Sequence, residues 1–183
     1  MNTTSLAVFC GSQSGSNPLF EIHAKELGEY LGKSKITLIY GGGDKGLMGA
    51  VANAAMENGG KVTGIIPEIL IGWERQKLNI TDLQVVQDMH SRKKIMYDLC
   101  DVAVILPGGN GTLDEMFEML TWNTLKIHNK KIILLNSAGF YNHLIKHIKH
   151  MQECNFLYEN WQERILVVDS PAGIIAFLDA DKN

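Results

Sequence analysis

The sequence predicts an α/β fold, a doubly wound parallel sheet of about seven strands with helices on both faces. Apolar runs alternate with amphipathic runs along the whole chain, the order of linked βαβ units. The apolar runs are continuous rather than alternating, as strands are when both faces of a sheet are covered. No internal repeat, low-complexity tract or composition shift divides the sequence, so residues 1–183 are expected to form a single domain.

Leu6 to Cys10 reads as the first strand, and the turn 11–18 ends at Pro18, a residue suited to the first position of a helix. Phe20 to Leu31 carries an apolar stripe through Ile22, Ala24, Leu27 and Leu31. Ile36 to Tyr40 is the second strand and runs into a glycine turn, 41–46. Leu47 to Glu57 is apolar or small on most sides, so it is expected to be covered on most sides, by other elements or by a partner subunit. Val62 to Ile66 is the third strand, stopped at Pro67. Glu68 to Ile80 has no clean period and is expected to be irregular. Leu83 to Val86, Val102 to Leu106, Lys131 to Leu135 and Ile165 to Val168 are the remaining strands. Helices are expected at Ser91 to Leu99, Leu113 to Leu125, Phe140 to Met151 and Pro171 to Leu178. In the Leu113 helix, Leu113, Met116, Phe117, Leu120 and Thr124 form a core face. Met119 and Trp122 widen its apolar arc, again toward a partner.

Composition excludes several classes. Hydrophobic residues make up 45% and charged residues 20%, with a net charge of −3. No basic field is present to recruit nucleic acid. No run reaches the roughly 20 apolar residues of a membrane helix, and the first ten residues lack a signal-peptide pattern. The three widely spaced cysteines, Cys10, Cys100 and Cys154, fit a reducing cytoplasm better than a disulfide framework.

The chemistry is expected around Pro107 to Glu115, where an apolar strand meets a helix through Pro-Gly-Gly-Asn-Gly-Thr. Such a turn presents free amides and the positive end of a helix dipole, a natural seat for phosphate. In a doubly wound sheet, ligands bind at the carboxyl ends of the strands. Chain order therefore gathers Ser12, Gly41 to Gly43, Arg92, Lys93 and Gly108 to Thr112 on one rim. Arg92 and Lys93 stand near the start of a helix, capped by Ser91 or Asp88, where cations oppose the dipole by about 0.3–1 kcal/mol each. They are either solvated charges that tolerate this cost or ligands for an anion. Thr112-x-x-Glu115 matches a capping box, so Glu115 is either a cap or a catalyst. Asp114 beside it suits simple dipole compensation.

Other signatures are missing. The sequence holds no P-loop, no Gly-x-Gly-x-x-Gly and no acid at the end of the second strand, which disfavours an NAD enzyme. His143, His147 and His150 share one helical face that reads as solvated rather than as a metal clasp. No zinc spacing and no nucleophile elbow occur.

Pro107-Gly-Gly-Asn-Gly-Thr112 with Leu113-Asp-Glu115, together with Met89-His-Ser-Arg-Lys93, resembles the cytokinin riboside 5′-monophosphate phosphoribohydrolases, the LONELY GUY or LOG family. The resemblance extends to Cys10-Gly-Ser12, Tyr40-Gly-Gly-Gly, Gly46-Leu-Met-Gly49, Thr121-Trp122 and Ile127-His128. It implies a Rossmann-like homodimer that cleaves the N-glycosidic bond of purine nucleoside 5′-monophosphates, AMP or N6-prenylated AMP, with no metal or other cofactor. It further implies Arg92 and Glu115 as the catalytic pair. Glu74, Met89, Arg92, Lys93, Gly108, Gly109, Asn110, Gly111, Thr112, Leu113, Asp114, Glu115 and Thr121 would contact substrate, and Ser12, Gly42 and Gly43 would line the phosphate rim. Asn110 stands where the family often has an aromatic residue, and Asp114 where it often has Glu. Two rivals follow from related proteins: a non-catalytic nucleotide or molybdenum-cofactor carrier, and an amino-acid decarboxylase. A carrier has no need of both Arg92 and Glu115, and nothing in the sequence marks a pyridoxal phosphate lysine.

Overall fold

A computed structural model of the chain describes residues 3–71 and 79–180. Thirteen main elements follow one another among these residues. They are β1 (Ser5–Phe9), α1 (Pro18–Ser34), β2 (Thr37–Tyr40), α2 (Gly46–Glu57), β3 (Val62–Pro67), β4 (Asp82–Val86), α3 (Met89–Leu99), β5 (Val102–Ile105), α4 (Asn110–Thr124), β6 (Lys131–Leu135), α5 (Asn142–Glu153), β7 (Ile165–Val168) and α6 (Pro171–Ala180). The seven strands form one sheet in the order β4-β3-β2-β1-β5-β6-β7, every pair parallel. The predicted doubly wound class is therefore the observed one.

Side-chain alternation along each strand divides the core in two. Leu6 and Val8 of β1, Val102 and Val104 of β5, and Ile133 and Leu135 of β6 point to the face covered by α1, α2 and α6. Ala7 and Phe9, Ala103 and Ile105, and Ile132 and Leu134 point to the face covered by α3, α4 and α5. Continuous apolar strands are thus required by two cores, not one.

One expectation holds at the helices and three change. Helix α1 begins at Pro18, as its ring geometry favours, with Asn17 Oδ1 accepting from the Leu19 amide at 3.0 Å. The apolar character of α2 needs no partner subunit. Gly28 and Gly32 on α1 have no side chain, and a Cβ there would come within 2.4 Å of Val51 O and 2.5 Å of Ala55 O. The two helices consequently pack backbone to backbone, and α1 covers the side of α2 that the sheet leaves open. Met119 is fully buried, and Trp122 stacks edge-on against Tyr97 at 5.2 Å, so these two also find their cover within the chain.

The third change concerns α4, which starts at Asn110 with Gly109 in the N-cap position and no side-chain cap. Thr112 is therefore not the cap, and Glu115 lies well beyond the first turn. The capping box is excluded, because a glycine turn this tight winds into helical geometry two residues earlier than Thr112. At α3 the open choice falls to Asp88, whose Oδ1 accepts from the Ser91 amide at 2.7 Å.

Two histidines tie stability to pH. His23 is buried with Nδ1 2.7 Å from Ser137 Oγ. His128 Nδ1 lies 2.8 Å from Asn123 Oδ1 and 3.5 Å from the Lys130 amide nitrogen, while His128 Nε2 is buried without a partner among the described residues. Burial pushes both pKa values below the ordinary histidine value, with Lys130 adding repulsion at His128. The unfolded chain then binds more protons than the folded one just below about pH 6.5, so stability falls as pH drops through that point. Denaturant midpoints measured between pH 7.5 and 5.5 are expected to decline, and a flat profile would contradict this assignment.

Candidate functional site

Strands β1 and β5 are neighbours, but the helices that follow them, α1 and α4, leave to opposite faces. This is the point where a doubly wound sheet opens a crevice at its carboxyl edge. The turn after β1 and the turn after β5 close on each other there, with the Gly11 amide donating to Pro107 O at 3.0 Å. A Cβ on Gly108 would sit 2.1 Å from Thr112 Oγ1 and 2.9 Å from the Gly11 nitrogen, so only glycine fits. Gly109 and Gly111 differ: a Cβ on either would meet nothing within 4 Å. Their backbone faces open space at the start of α4, where the first amides have no helical acceptor.

A cavity of about 260 Å³ lies in front of this helix end. The β1 turn supplies Cys10, Gly11 and Ser12; α2 supplies Met48; α3 supplies Met89 and Arg92; and residues 109–112 and Glu115 come from the start of α4. A second hollow of about 350 Å³ adjoins it across Gly11, Ser12 and Gly109, with Gly108, Phe20 and Phe140 in its wall.

Arg92 and Glu115 are 6% and 7% exposed, an uncommon depth for charged side chains. Arg92 Nη2 donates to Gly41 O at 3.3 Å, and Arg92 Nη1 lies 3.8 Å from Met89 Sδ. Its Nε is buried with no partner among the described residues. A buried donor left without an acceptor costs about 1–3 kcal/mol, a cost that an incoming oxygen would remove. Gly41 holds the guanidinium by lacking a side chain: a Cβ there would come 1.9 Å from Nη2.

Of the residues expected at the site, Ser12, Met89, Arg92, Gly109, Asn110, Gly111, Thr112 and Glu115 line the cavity, and Gly108 lines the adjoining hollow. Others fall elsewhere. Lys93 is turned to α4, with Nζ 3.0 Å from Asp114 Oδ2 and 2.8 Å from Glu118 Oε2, which also accounts for Asp114. Burial works to strip the Lys93 proton, but the hydrogen bonds and charges of Glu118 and Asp114 outweigh it and raise its pKa. Leu113 packs on the core. Thr121 is exposed, its Oγ1 donating to Phe117 O at 2.8 Å, and it lines a separate cleft between α4 and α5. Gly42 and Gly43 are buried outside the cavity lining, and Gly42 faces Ile66 and Leu83 at a φ of +79°; Gly41 of the same turn seats Arg92. Glu74 lies outside the described residues. Cys10 and Met48 line the cavity although their sequence signal was only apolar. Cys10 could have been found through its place in the Cys-Gly-Ser turn.

The fold and this site define a doubly wound protein with an uncapped helix N-terminus at its crevice and a buried carboxylate and guanidinium lining the same cavity. Comparison with known proteins is narrower. The family model described as possible lysine decarboxylase matches residues 48–178. The chain is 41% identical over 173 residues to the cytokinin riboside 5′-monophosphate phosphoribohydrolase of Rhodococcoides fascians, covering 94% of this chain and 87% of that protein. It is 40% identical over 166 residues to the enzyme LOG7 of Arabidopsis thaliana, covering 91% and 76%. The chain belongs to the LOG family of cytokinin riboside 5′-monophosphate phosphoribohydrolases. Among solved structures, it resembles the molybdenum cofactor carrier protein of Chlamydomonas reinhardtii with a TM-score of 0.73 at 21% identity over 96% of this chain and 95% of that one. The molybdenum cofactor binding protein of Rippkaea orientalis gives 0.74 at 21% identity over 100% and 99%. These two establish likeness of fold.

The glycines of the turn have separable roles. Gly108→Ala is expected to cost about 1–3 kcal/mol by overpacking against Thr112 and the Gly11 backbone. Gly111→Ala, in open space within the first helical turn, is expected to leave the melting temperature unchanged or raise it. Thermal melts giving the reverse order would overturn the assignment.

Proposed function

We propose that the protein hydrolyses the N-glycosidic bond of purine riboside 5′-monophosphates, AMP or its N6-prenylated forms, releasing the free base and ribose 5-phosphate. The observation that carries this is the pairing, in one cavity at an open helix N-terminus, of buried Glu115 with a buried Arg92 whose Nε–H has no acceptor among the described residues. The names of the relatives support it.

The 5′-phosphate is received by the amides of residues 110–112 and the positive end of the α4 dipole. Gly109 and Gly111 let it approach the backbone. Binding energy gained at this remote group fixes the glycosidic carbon beside Glu115. When the bond between C1′ and the base nitrogen breaks, its electron pair leaves with the base and positive charge develops on the ribose, as in other glycosyl transfers. The Glu115 carboxylate stabilises that charge and takes a proton from the water that attacks C1′. The proton that Glu115 takes from water is in turn released to the departing base, balancing its electron pair and restoring the carboxylate. Arg92 Nε donates to an oxygen of the sugar phosphate, removing the cost of its burial. Glu74 remains part of the proposed substrate contacts.

The family description as a decarboxylase gains no support here: among the described residues no lysine lines the cavity, and Lys93 is engaged by two carboxylates. A carrier role leaves the buried pair without work. We also assign the expected homodimer to a different surface from α2. Phe156 and Tyr158, 78% and 94% exposed, flank half-buried Phe117 and Leu120 of α4 along the cleft toward α5. The three free cysteines accord with a reducing, cytoplasmic setting.

Incubation with AMP and isopentenyladenosine monophosphate is expected to give free base and ribose 5-phosphate on chromatography; no base from either nucleotide would end the hydrolase reading. Glu115→Gln should lower turnover at least about 10²-fold. Gly41→Ala, which displaces Arg92 without a backbone demand, should cost about 10²-fold with an unchanged circular dichroism spectrum. For the oligomer, light scattering is expected to give twice the chain mass, and Phe156→Ser with Tyr158→Ser to shift it toward one; a wild-type monomer would refute the dimer.

A further inference from the structure

Two pairs of adjacent charged residues meet where α3 passes α4: Arg92-Lys93 and Asp114-Glu115. Consecutive helical residues point about 100° apart. One member of each pair, Arg92 and Glu115, therefore reaches the cavity, while the other turns to the facing helix. Lys93 Nζ meets both Asp114 Oδ2 and Glu118 Oε2. One turn further along α3, Tyr97 donates its hydroxyl to the same Glu118 oxygen at 2.8 Å. Its oxygen also lies 3.3 Å from the carbonyl of Glu115 itself.

These contacts are unequal. The Asp114 side chain is 59% exposed, so water screens its attraction for Lys93. Glu118 is 24% exposed and Lys93 9%, and Glu118 alone joins both Lys93 and Tyr97. The Tyr97 ring is fully buried, held edge-on by Phe9 at 5.9 Å and Trp122 at 5.2 Å. A ring fixed on two sides gives its hydroxyl one place to be. Burial, and then the hydrogen bond to Glu118, pushes the phenol pKa upward, so it stays a donor.

We propose that Tyr97 and Glu118 are positioning residues: together with Lys93 they lock α3 to α4 and set the separation of Arg92 and Glu115 across the cavity. The kinetic consequence rests on the hydrolase reading; the structural one does not.

Tyr97→Phe keeps the ring and deletes only the hydroxyl. It is expected to lower kcat for base release about tenfold, the scale of one hydrogen bond to a charged group, with KM for AMP held within about twofold because the backbone amides at the start of α4 still receive the phosphate and Arg92 supplies only one of its contacts. Amide exchange over 89–99 and 110–118 should accelerate about tenfold, with 165–180 unaffected. Glu118→Gln retains an acceptor for Tyr97 and should keep more turnover than Glu118→Ala. Tyr97→Phe combined with Glu118→Ala should be no worse than Glu118→Ala alone, as expected for one network. Wild-type kcat and exchange in Tyr97→Phe, additive losses, or a parallel change of KM with general destabilisation would each overturn the proposal. If the wild-type protein releases no base, the hydrolase reading falls, and exchange in Tyr97→Phe alone decides the clamp: acceleration in both helices upholds it and unchanged exchange refutes it.

Discussion

The close approach of two backbone turns, one after β1 and one after β5, is the constraint on which the rest of the site depends. Gly11 donates to Pro107 O, and Gly108 leaves no room for a Cβ between Gly11 and Thr112. Because the turns touch, α4 must begin at once, at Asn110, without a side-chain cap. The uncapped amides are an unmet hydrogen-bonding demand, which a phosphate satisfies better than water because it also opposes the dipole. The same early start places Glu115 well down the helix, facing inward, instead of at its mouth. A side-chain cap at Thr112 would have covered the open helix end and put the carboxylate at the helix mouth instead of in the cavity wall.

Strand content, parallel topology and the rim of glycine turns were legible in the sequence because each depends on short-range pattern. Continuous apolar strands require two covered faces, and the two halves of the core divide along the strands residue by residue. The start of α4 was not legible in the same way. Thr-x-x-Glu is a local signal for a cap, and it was overruled by a contact between residues 11 and 108 that no local pattern records. The choice between α1 and a partner subunit as cover for α2 was hidden for a related reason. Apolar periodicity shows that a face is buried, not what buries it. The deciding feature was Gly28 and Gly32 on another helix.

Arg92 and Lys93 show the same limit within two adjacent residues. Both read as cations near a helix start that oppose its dipole, and both are buried. Lys93 is accounted for inside the protein, since Glu118 and Asp114 hold it charged. Arg92 has a carbonyl and a sulfur for its terminal nitrogens and no acceptor for Nε among the described residues. Sequence alone could not separate them, because the distinction is whether the facing helix or the open cavity supplies the counter-charge.

On the proposed reading, that difference divides the work between the two residues. A buried charge with its partners in place contributes rigidity, because moving it would break several contacts at once. A buried charge with one donor unmet is destabilised in the empty protein and relieved when ligand arrives, so it adds to ligand affinity what it withholds from folding stability. Lys93 and Arg92 therefore act in sequence along one helix. The first anchors α3 to α4 through Glu118, and the second uses the fixed geometry to present an unsatisfied donor to the cavity that Glu115 lines. Moving the anchor would cost the site its geometry even with Arg92 and Glu115 unchanged, which is why the residues that never touch the ligand belong to the same functional unit as those that do.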